Sequence, residues 1–509
     1  MIVGRAIAVL CAIWVIAPLP ARADPALDRQ IIHVLNRIGF GPTAEAVAHV
    51  KAIGIDAYID EQLSPAAPPE PAALTDRLAA LDTQKLGASE LFAKYGPQPN
   101  ETMEGAKPTQ EAIDARVKRA GAILQQARDA RVYRALYSPR QLQEALVDFW
   151  FNHFNVNAYN GFDMLWVGNF ENEAIRPHVL GKFRDLLLAT AQHPAMLYYL
   201  DNQDSTAPHS PGAATLFSGI NENYARELME LHTLGVNGGY TQKDVETLAS
   251  ILTGWGFDYH NLSAGSGPAF AFNPLRHDSS EKTFLGQRIA PGGEDQGVAA
   301  IDILAKSPAT AHHIAYQLAQ YFVADSPPPA LVERLAQVFL ASGGDIKTVM
   351  KALLTSVEFR DSAGQKYKTP YEYVLSAVRA AGDAVKSPTP FVGMMAQMGM
   401  PLYLCPTPDG YSNMENKWLS PAATTDRANF AVLVGSGALL NYVPPDEAQQ
   451  PHLVPASIAA DAKPIVVDAA ALESLLDPIL TDHTRTAIAD SPAALKAALI
   501  LGSPDFMRR

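Results

Sequence analysis

The sequence predicts an all-α fold: one large multi-helix body built from helical hairpins, with a small C-terminal helical piece. Three observations carry that expectation. Apolar residues recur at helical spacing, Pro, Ser and Thr mark helix starts, and runs of alternating β-branched residues are nearly absent. With 509 residues, 48% of them hydrophobic, the chain can bury a sizeable core.

The first 23 residues, MIVGRAIAVLCAIWVIAPLPARA, combine Arg5, an apolar run and a small-x-small ending at Ala21-Arg22-Ala23. They read as a secretory signal cleaved before Asp24. The apolar run is shorter than the ~20 residues a membrane span needs. The expected location is therefore the periplasm or the outside of the cell, with no stable membrane anchor after cleavage. Residues 24–440 form the main body.

Within it, Ser138-Pro139 reads as the N-cap and first position of a helix through RQLQEALVDFWFNHF (140–154). A second helix is expected over 222–234, and GVNGG (235–239) breaks it. Thr241 with Asp244 resembles a capping box and opens a third helix over 242–253, which closes an αα-hairpin with the second. GDIKTVMKALLTSVEFR (344–360) is echoed by SPAALKAALILGSPDFM (491–507), which suggests two similar helical hairpins. Three stretches look loose: 95–110, 202–219 and a linker at 441–466, beyond which residues 467–509 form the C-terminal piece.

Charge and cysteine content exclude several roles. Cleavage would remove Arg5 and Arg22 and no acid, so the net charge of −13 becomes −15. Such a chain is a poor partner for nucleic acid or an anionic membrane. Cys11 would leave with the signal and Cys405 would stand alone, so no intramolecular disulfide is expected. Cys11 also lies inside the apolar run, which argues against a lipid anchor.

Common catalytic signatures are missing: H-E-x-x-H, G-x-S-x-G, G-x-G-x-x-G, the P-loop and C-x-x-C. What remains is two histidines, His153 and His232, each centred on an apolar helix face with aromatic neighbours such as Trp150, Phe154 and Tyr224. A buried imidazole is neutral and needs polar partners. If both rings reach a common cleft they can act as acid and base, or bind a divalent metal. Otherwise they are core histidines, each bonded to a carbonyl or a carboxylate.

Glu227 and Glu230 lie one turn apart, with Asn223 a turn earlier. Such a pair can hold a hard cation or share a proton, or it can simply form a solvated face neutralised by Arg226 or Arg276. Asn152, Asn155, Asn157 and Asn160 alternate with Phe, Trp and Tyr, a composition suited to sugar rings and equally to an Asn-rich turn. His277, Asp278 and Lys282 are expected in a loop.

LNRIGFGPT (35–43), DFWFNHFNV (148–156), HPAMLYYLDN (193–202), the long block at 221–255 and HDSSEKTFLG (277–286) run in the order seen in the domain of unknown function 1800 family. ALLTSVEFR (352–360), KTPYEYVLSAVRA (368–380) and the segment from Trp418 to Phe430 extend the match. The chain resembles that family over nearly all of its mature length. The resemblance implies an exported, mainly helical bacterial protein without an established activity. It also suggests a partner, a secreted protein resembling the alkaline phosphatase and sulfatase superfamily. One segment departs from the family pattern: CPTPDGYSN (405–413) has Tyr411 where the family tends to carry tryptophan.

Two functions follow as expectations. In the first, the protein is an envelope or extracellular enzyme, a hydrolase of a polysaccharide or other envelope polymer. Its catalytic groups would be His153, His232, Glu227 and Glu230, with Trp150, Asn152, Asn223, His277, Asp278 and Tyr411 contacting substrate. In the second, it is a non-catalytic binding or assembly partner of the phosphatase/sulfatase-like protein.

Overall fold

The computed structural model describes residues 25–64, 68–97, 109–214, 219–382, 384–444 and 464–509. The signal segment, most of the 441–466 linker and parts of the other two loose stretches lie outside the described residues. The fold is helical, as the periodicity predicts. Among the described residues, the strands form only two small antiparallel pairs. None of the described helices is long and apolar enough to cross a membrane.

Helix α1 (Pro25–Arg37) leads to α2 (Gln110–Tyr137), the longest element, and then to α3 (Gln141–His153). The α3 start differs from the expected one. Ser138 caps the end of α2 and Arg140 caps α3. The Ser138 hydroxyl accepts from Arg140 N (3.1 Å) and donates to Glu70 (3.0 Å), so a tertiary partner claims the residue that local rules assign to the helix start.

Helix α4 (Asn223–Glu230) and α5 (Gln242–Ile251) form the predicted hairpin. Thr241 and Asp244 make the full reciprocal capping box at the start of α5. The first strand pair joins β1 (Trp255–Phe257) to β2 (Phe270–Phe272). The second pair, β3 (Lys282–Phe284) with β4 (Gln287–Ile289), lies where a loop was expected. Leu285 (φ 48°) and Gly286 (φ 75°) both take positive φ between its strands, the geometry of a two-residue type I′ turn.

Helix α6 (Pro308–Phe322) packs on α7 (Pro329–Ala341), and α7 on α8 (Ile346–Leu354). After α9 (Pro370–Ala380) and α10 (Pro421–Gly435), the chain closes with α11 (Asp482–Ala489) and α12 (Ala493–Leu501). The internal echo has a physical counterpart. Ser356 accepts from Phe359 N (3.2 Å) and donates to Leu353 O (2.7 Å). Ser503 accepts from Phe506 N (3.1 Å) and donates to Ile500 O (2.8 Å). In both copies a serine ends one helix and turns a phenylalanine fully into the core. The C-terminal piece lies on the body through α12 against α10, and Leu472, Ile488, Leu501 and Phe506 join the common core.

The core also encloses charge. Arg131 of α2 reaches Asp148 of α3 (2.6 Å) and Glu171 (3.3 Å), while Arg176 grips Glu144 (2.6 Å) and Glu171 (3.0 Å). Tyr321 donates to Asp148 (3.1 Å) and Tyr403 to Glu171 (2.8 Å). Buried charges at this density are tolerated only when paired and hydrogen-bonded. Here the network ties α2, α3 and α6 to the π-helical segment Phe170–Ile175.

Candidate functional site

The end of α4 is where the sequence-predicted histidines meet. The helix expected through residue 234 stops at Glu230, because Leu231 N (2.9 Å) and His232 N (3.1 Å) both donate to Glu227 O. Two imidazoles then hold the next two carbonyls. His153, at the end of α3, donates through Nε2 to His232 O (3.2 Å). His313, on α6, donates through Nε2 to Leu231 O (3.2 Å). The His153 ring centre lies 5.9 Å from that of His232 and 6.5 Å from that of His313.

These rings sit inside the protein. His153 is 7% exposed and His232 1%. Burial pushes His153 down to about 3, with the nearby His313 adding to the effect. Burial, then His153 and His313, hold His232 well below the ordinary histidine range. All three are neutral near pH 7. Two of them spend an N–H on main chain, and His232 faces Phe154 at 5.1 Å with its Nε2 unpartnered. Trp150 is fully buried beside His153, Phe154 and Phe183, so it belongs to the core. Among the described residues, no three His, Cys, Asp or Glu side chains are grouped to hold a metal ion.

The carboxylates lie closer to solvent. Glu230 pairs with Arg226 (3.6 Å), and after burial its carboxylate helps to raise the Tyr240 hydroxyl. Glu227 is half-buried, and its carboxyl is raised first by burial and then by the charges of Glu230 and Asp409. Asp409 belongs to the 405–413 loop, which α3 and the turn after it anchor. Asn152 Nδ2 donates to Tyr411 O (2.8 Å) while Tyr411 N donates to Asn152 Oδ1 (2.7 Å). Asn155 Nδ2 donates to Cys405 O (3.2 Å) and Thr407 O (2.8 Å), and the Tyr411 hydroxyl to Pro401 O (2.9 Å). Asn152 and Tyr411 therefore hold each other and the loop.

The remaining predicted residues separate. Asn223 is exposed at the start of α4. His277 is buried, with Nδ1 2.8 Å from Thr253 O and Nε2 3.2 Å from Gln296. Asp278 accepts from Ser250 (2.8 Å) and Ser280 N (3.0 Å) and pairs with Lys282 (3.3 Å). Although its burial opposes ionisation, those hydrogen bonds and the ammonium hold it well below the carboxylate range. His277 and Asp278 thus fasten the approach to β3.

Two groups escaped sequence reasoning. His313 belongs to a His-His doublet whose first member, His312, is exposed, so the doublet itself was the available signal. Asp409 lies far from Glu227 in sequence and had no local signature.

The loop anchor yields a testable expectation. Gly410 has φ 72°, and a Cβ there would lie 2.2 Å from Asn152 O. Gly410→Ala should lower stability by about 2–4 kcal/mol, combining roughly 1 for the left-handed backbone with 1–3 for the clash. Gly364 has the same φ and open space around it. Gly364→Ala should show only the backbone effect, about 1 kcal/mol, in the same chemical melts.

No curated protein and no solved structure matches the chain. A family does, over residues 33–508. The chain belongs to that family, described as a protein of unknown function, DUF1800.

Proposed function

We propose that this protein is an exported hydrolase of an envelope polysaccharide or related polymer, with Glu227 as its acid and the histidines as supports. The observation that carries the reading is the position of Glu227, half-buried on α4 one turn before Glu230, where burial and then the charges of Glu230 and Asp409 raise its carboxyl. A raised carboxyl stays protonated nearer to neutral pH and can protonate a leaving-group oxygen. Asp409, exposed on the anchored loop, is the second carboxylate that glycoside hydrolysis requires, activating water or stabilising positive charge at the sugar. His153 and His313 fix the turn that ends α4, the helix that carries Glu227. The half-buried Tyr199, near enough for its hydroxyl to sense both Glu227 and Asp409, offers a ring face to sugar.

Release of reducing ends from envelope polysaccharide tests this. Glu227→Gln should retain the fold by circular dichroism and lose about 10²–10⁴-fold in rate. An unchanged rate in Glu227→Gln would refute the assignment.

A second reading, assembly with a secreted phosphatase/sulfatase-like partner, is favoured by a different feature. Val432 and Leu433 of α10 and Leu495 and Leu499 of α12 are exposed on two helices that pack together. Exposed apolar side chains in such proximity suit a protein contact. Charged substitutions there should abolish co-purification with that partner and leave hydrolysis intact.

A further inference from the structure

A cavity of about 520 Å³ opens between α1, the turn at 363–364 and the C-terminal hairpin. Arg29, Arg485, Arg508 and Arg509 line it, against the carboxylates of Asp482 and Asp505. Arg509 is spent inside the protein on Glu372 (2.7 Å), which leaves Arg29, Arg485 and Arg508 as the cations that reach the opening. The Asp505 carboxylate is already engaged, since its Oδ2 accepts from Thr481 N (2.8 Å), the Thr481 hydroxyl (2.9 Å) and the Thr484 hydroxyl (2.7 Å). Arg29 donates through Nε to Pro478 O (3.0 Å) and makes no salt bridge among the described residues. Arg485 pairs with Asp477 and Asp482, and Arg508 with Glu415, yet both side chains stay substantially exposed.

His33 and Asn36 complete the wall, each 4% exposed. His33 Nε2 donates to Phe359 O (2.8 Å), which leaves Nδ1 as a lone-pair acceptor, and that atom has no partner. Burial first, and the neighbouring Arg37 second, push His33 down to about 4, so the ring is neutral and cannot donate from both nitrogens. A buried acceptor left empty is costly and rare. Guanidinium groups recognise carboxylate oxygens in pairs, whereas a neutral imidazole acceptor recognises a hydroxyl.

We propose that this cavity binds a hydroxylated organic acid of the uronate type, its carboxylate on the Arg29 and Arg485 guanidinium groups and a hydroxyl donating to His33 Nδ1. The site shares no residue with the Glu227 region and does not depend on the hydrolase reading.

Calorimetric titration of the full chain with D-glucuronate tests it, with D-glucose and acetate as partial ligands. Glucuronate should bind saturably, and glucose and acetate each at least about tenfold more weakly, because each offers only half of the recognition. The double variant Arg29→Gln, Arg485→Gln, titrated below its own melting temperature, should weaken glucuronate binding by about tenfold or more. An oligouronide binding more tightly than the monomer would identify a polymer as the source, and equal affinity the free acid. Absence of saturable glucuronate binding, equal binding of glucose, or an unchanged affinity in the double variant would overturn the proposal.

Discussion

Acidification from pH 7 to pH 5 should draw about 2 kcal/mol of stability from each of three buried histidines, His33, His153 and His193. The sign follows from proton binding. Burial lowers the folded-state values to about 4, 3 and 3, against 6.5 in an unfolded chain. Below pH 6.5 the unfolded chain therefore takes up protons that the folded protein refuses, and stability falls until the folded values are reached. Above pH 6.5 the contribution is complete. Asp148 and Asp163 act in the opposite direction, because burial raises both carboxyls and protonation relieves them as pH falls. The histidine share is isolated by comparison with a variant that cannot titrate. In urea melts at pH 7, 6 and 5, His153→Phe should lose about 2 kcal/mol less than the wild-type protein across that range. Parallel curves for the two proteins would mean that His153 is protonated in the folded state. The imidazole would then be free for proton transfer after all.

How much of this was legible in the sequence depended on how local the cause was. Thr241 and Asp244 were readable because a capping box is closed within four residues. The Ser356 and Ser503 turns were readable as a repeat for the same reason. Ser138 was not, because Glu70 and the end of α2 outcompete its local preference. The inward direction of His153 and His232 followed from helical period, but not what the rings touch. Their meeting depends on a turn in which His232 contributes its carbonyl rather than its ring. Asp409 was invisible because the Asn152 amide that anchors its loop lies more than 250 residues away. Least legible were the buried cations. Arg37, whose guanidinium donates to Phe322 O, Val323 O and Ser362 O, and Arg131 look like ordinary polar positions in helices with mixed faces. Nothing in spacing marks an arginine as core when all of its partners come from other elements.

Arg131→Met should destabilise the protein by about 3–5 kcal/mol, the cost of removing one partner from a buried ion pair. The loss falls unequally on the two carboxylates. Glu171 keeps Arg176 at 3.0 Å and the Tyr403 hydroxyl at 2.8 Å, a set that with Arg131 outweighs its burial and holds it below the usual range. Asp148 keeps only the Tyr321 hydroxyl at 3.1 Å, and burial raises its carboxyl even with Arg131 present. Without the guanidinium, Asp148 becomes a buried anion with one neutral donor, and protonation becomes its cheapest relief. The deficit of Arg131→Met relative to wild type should therefore shrink as pH falls from 7 to 5. Adding Asp148→Asn should restore part of it at pH 7, because an amide needs no counter-charge. Replacing Glu171 by Gln in the same background should restore less, since that carboxylate still has a cation. A deficit independent of pH, with equal rescue by both amides, would instead trace the loss to the stacking of the Arg131 guanidinium on Phe151, Tyr371 and Tyr403. The two mechanisms remove the same side chain but orphan different atoms, and only the orphaned carboxylate titrates.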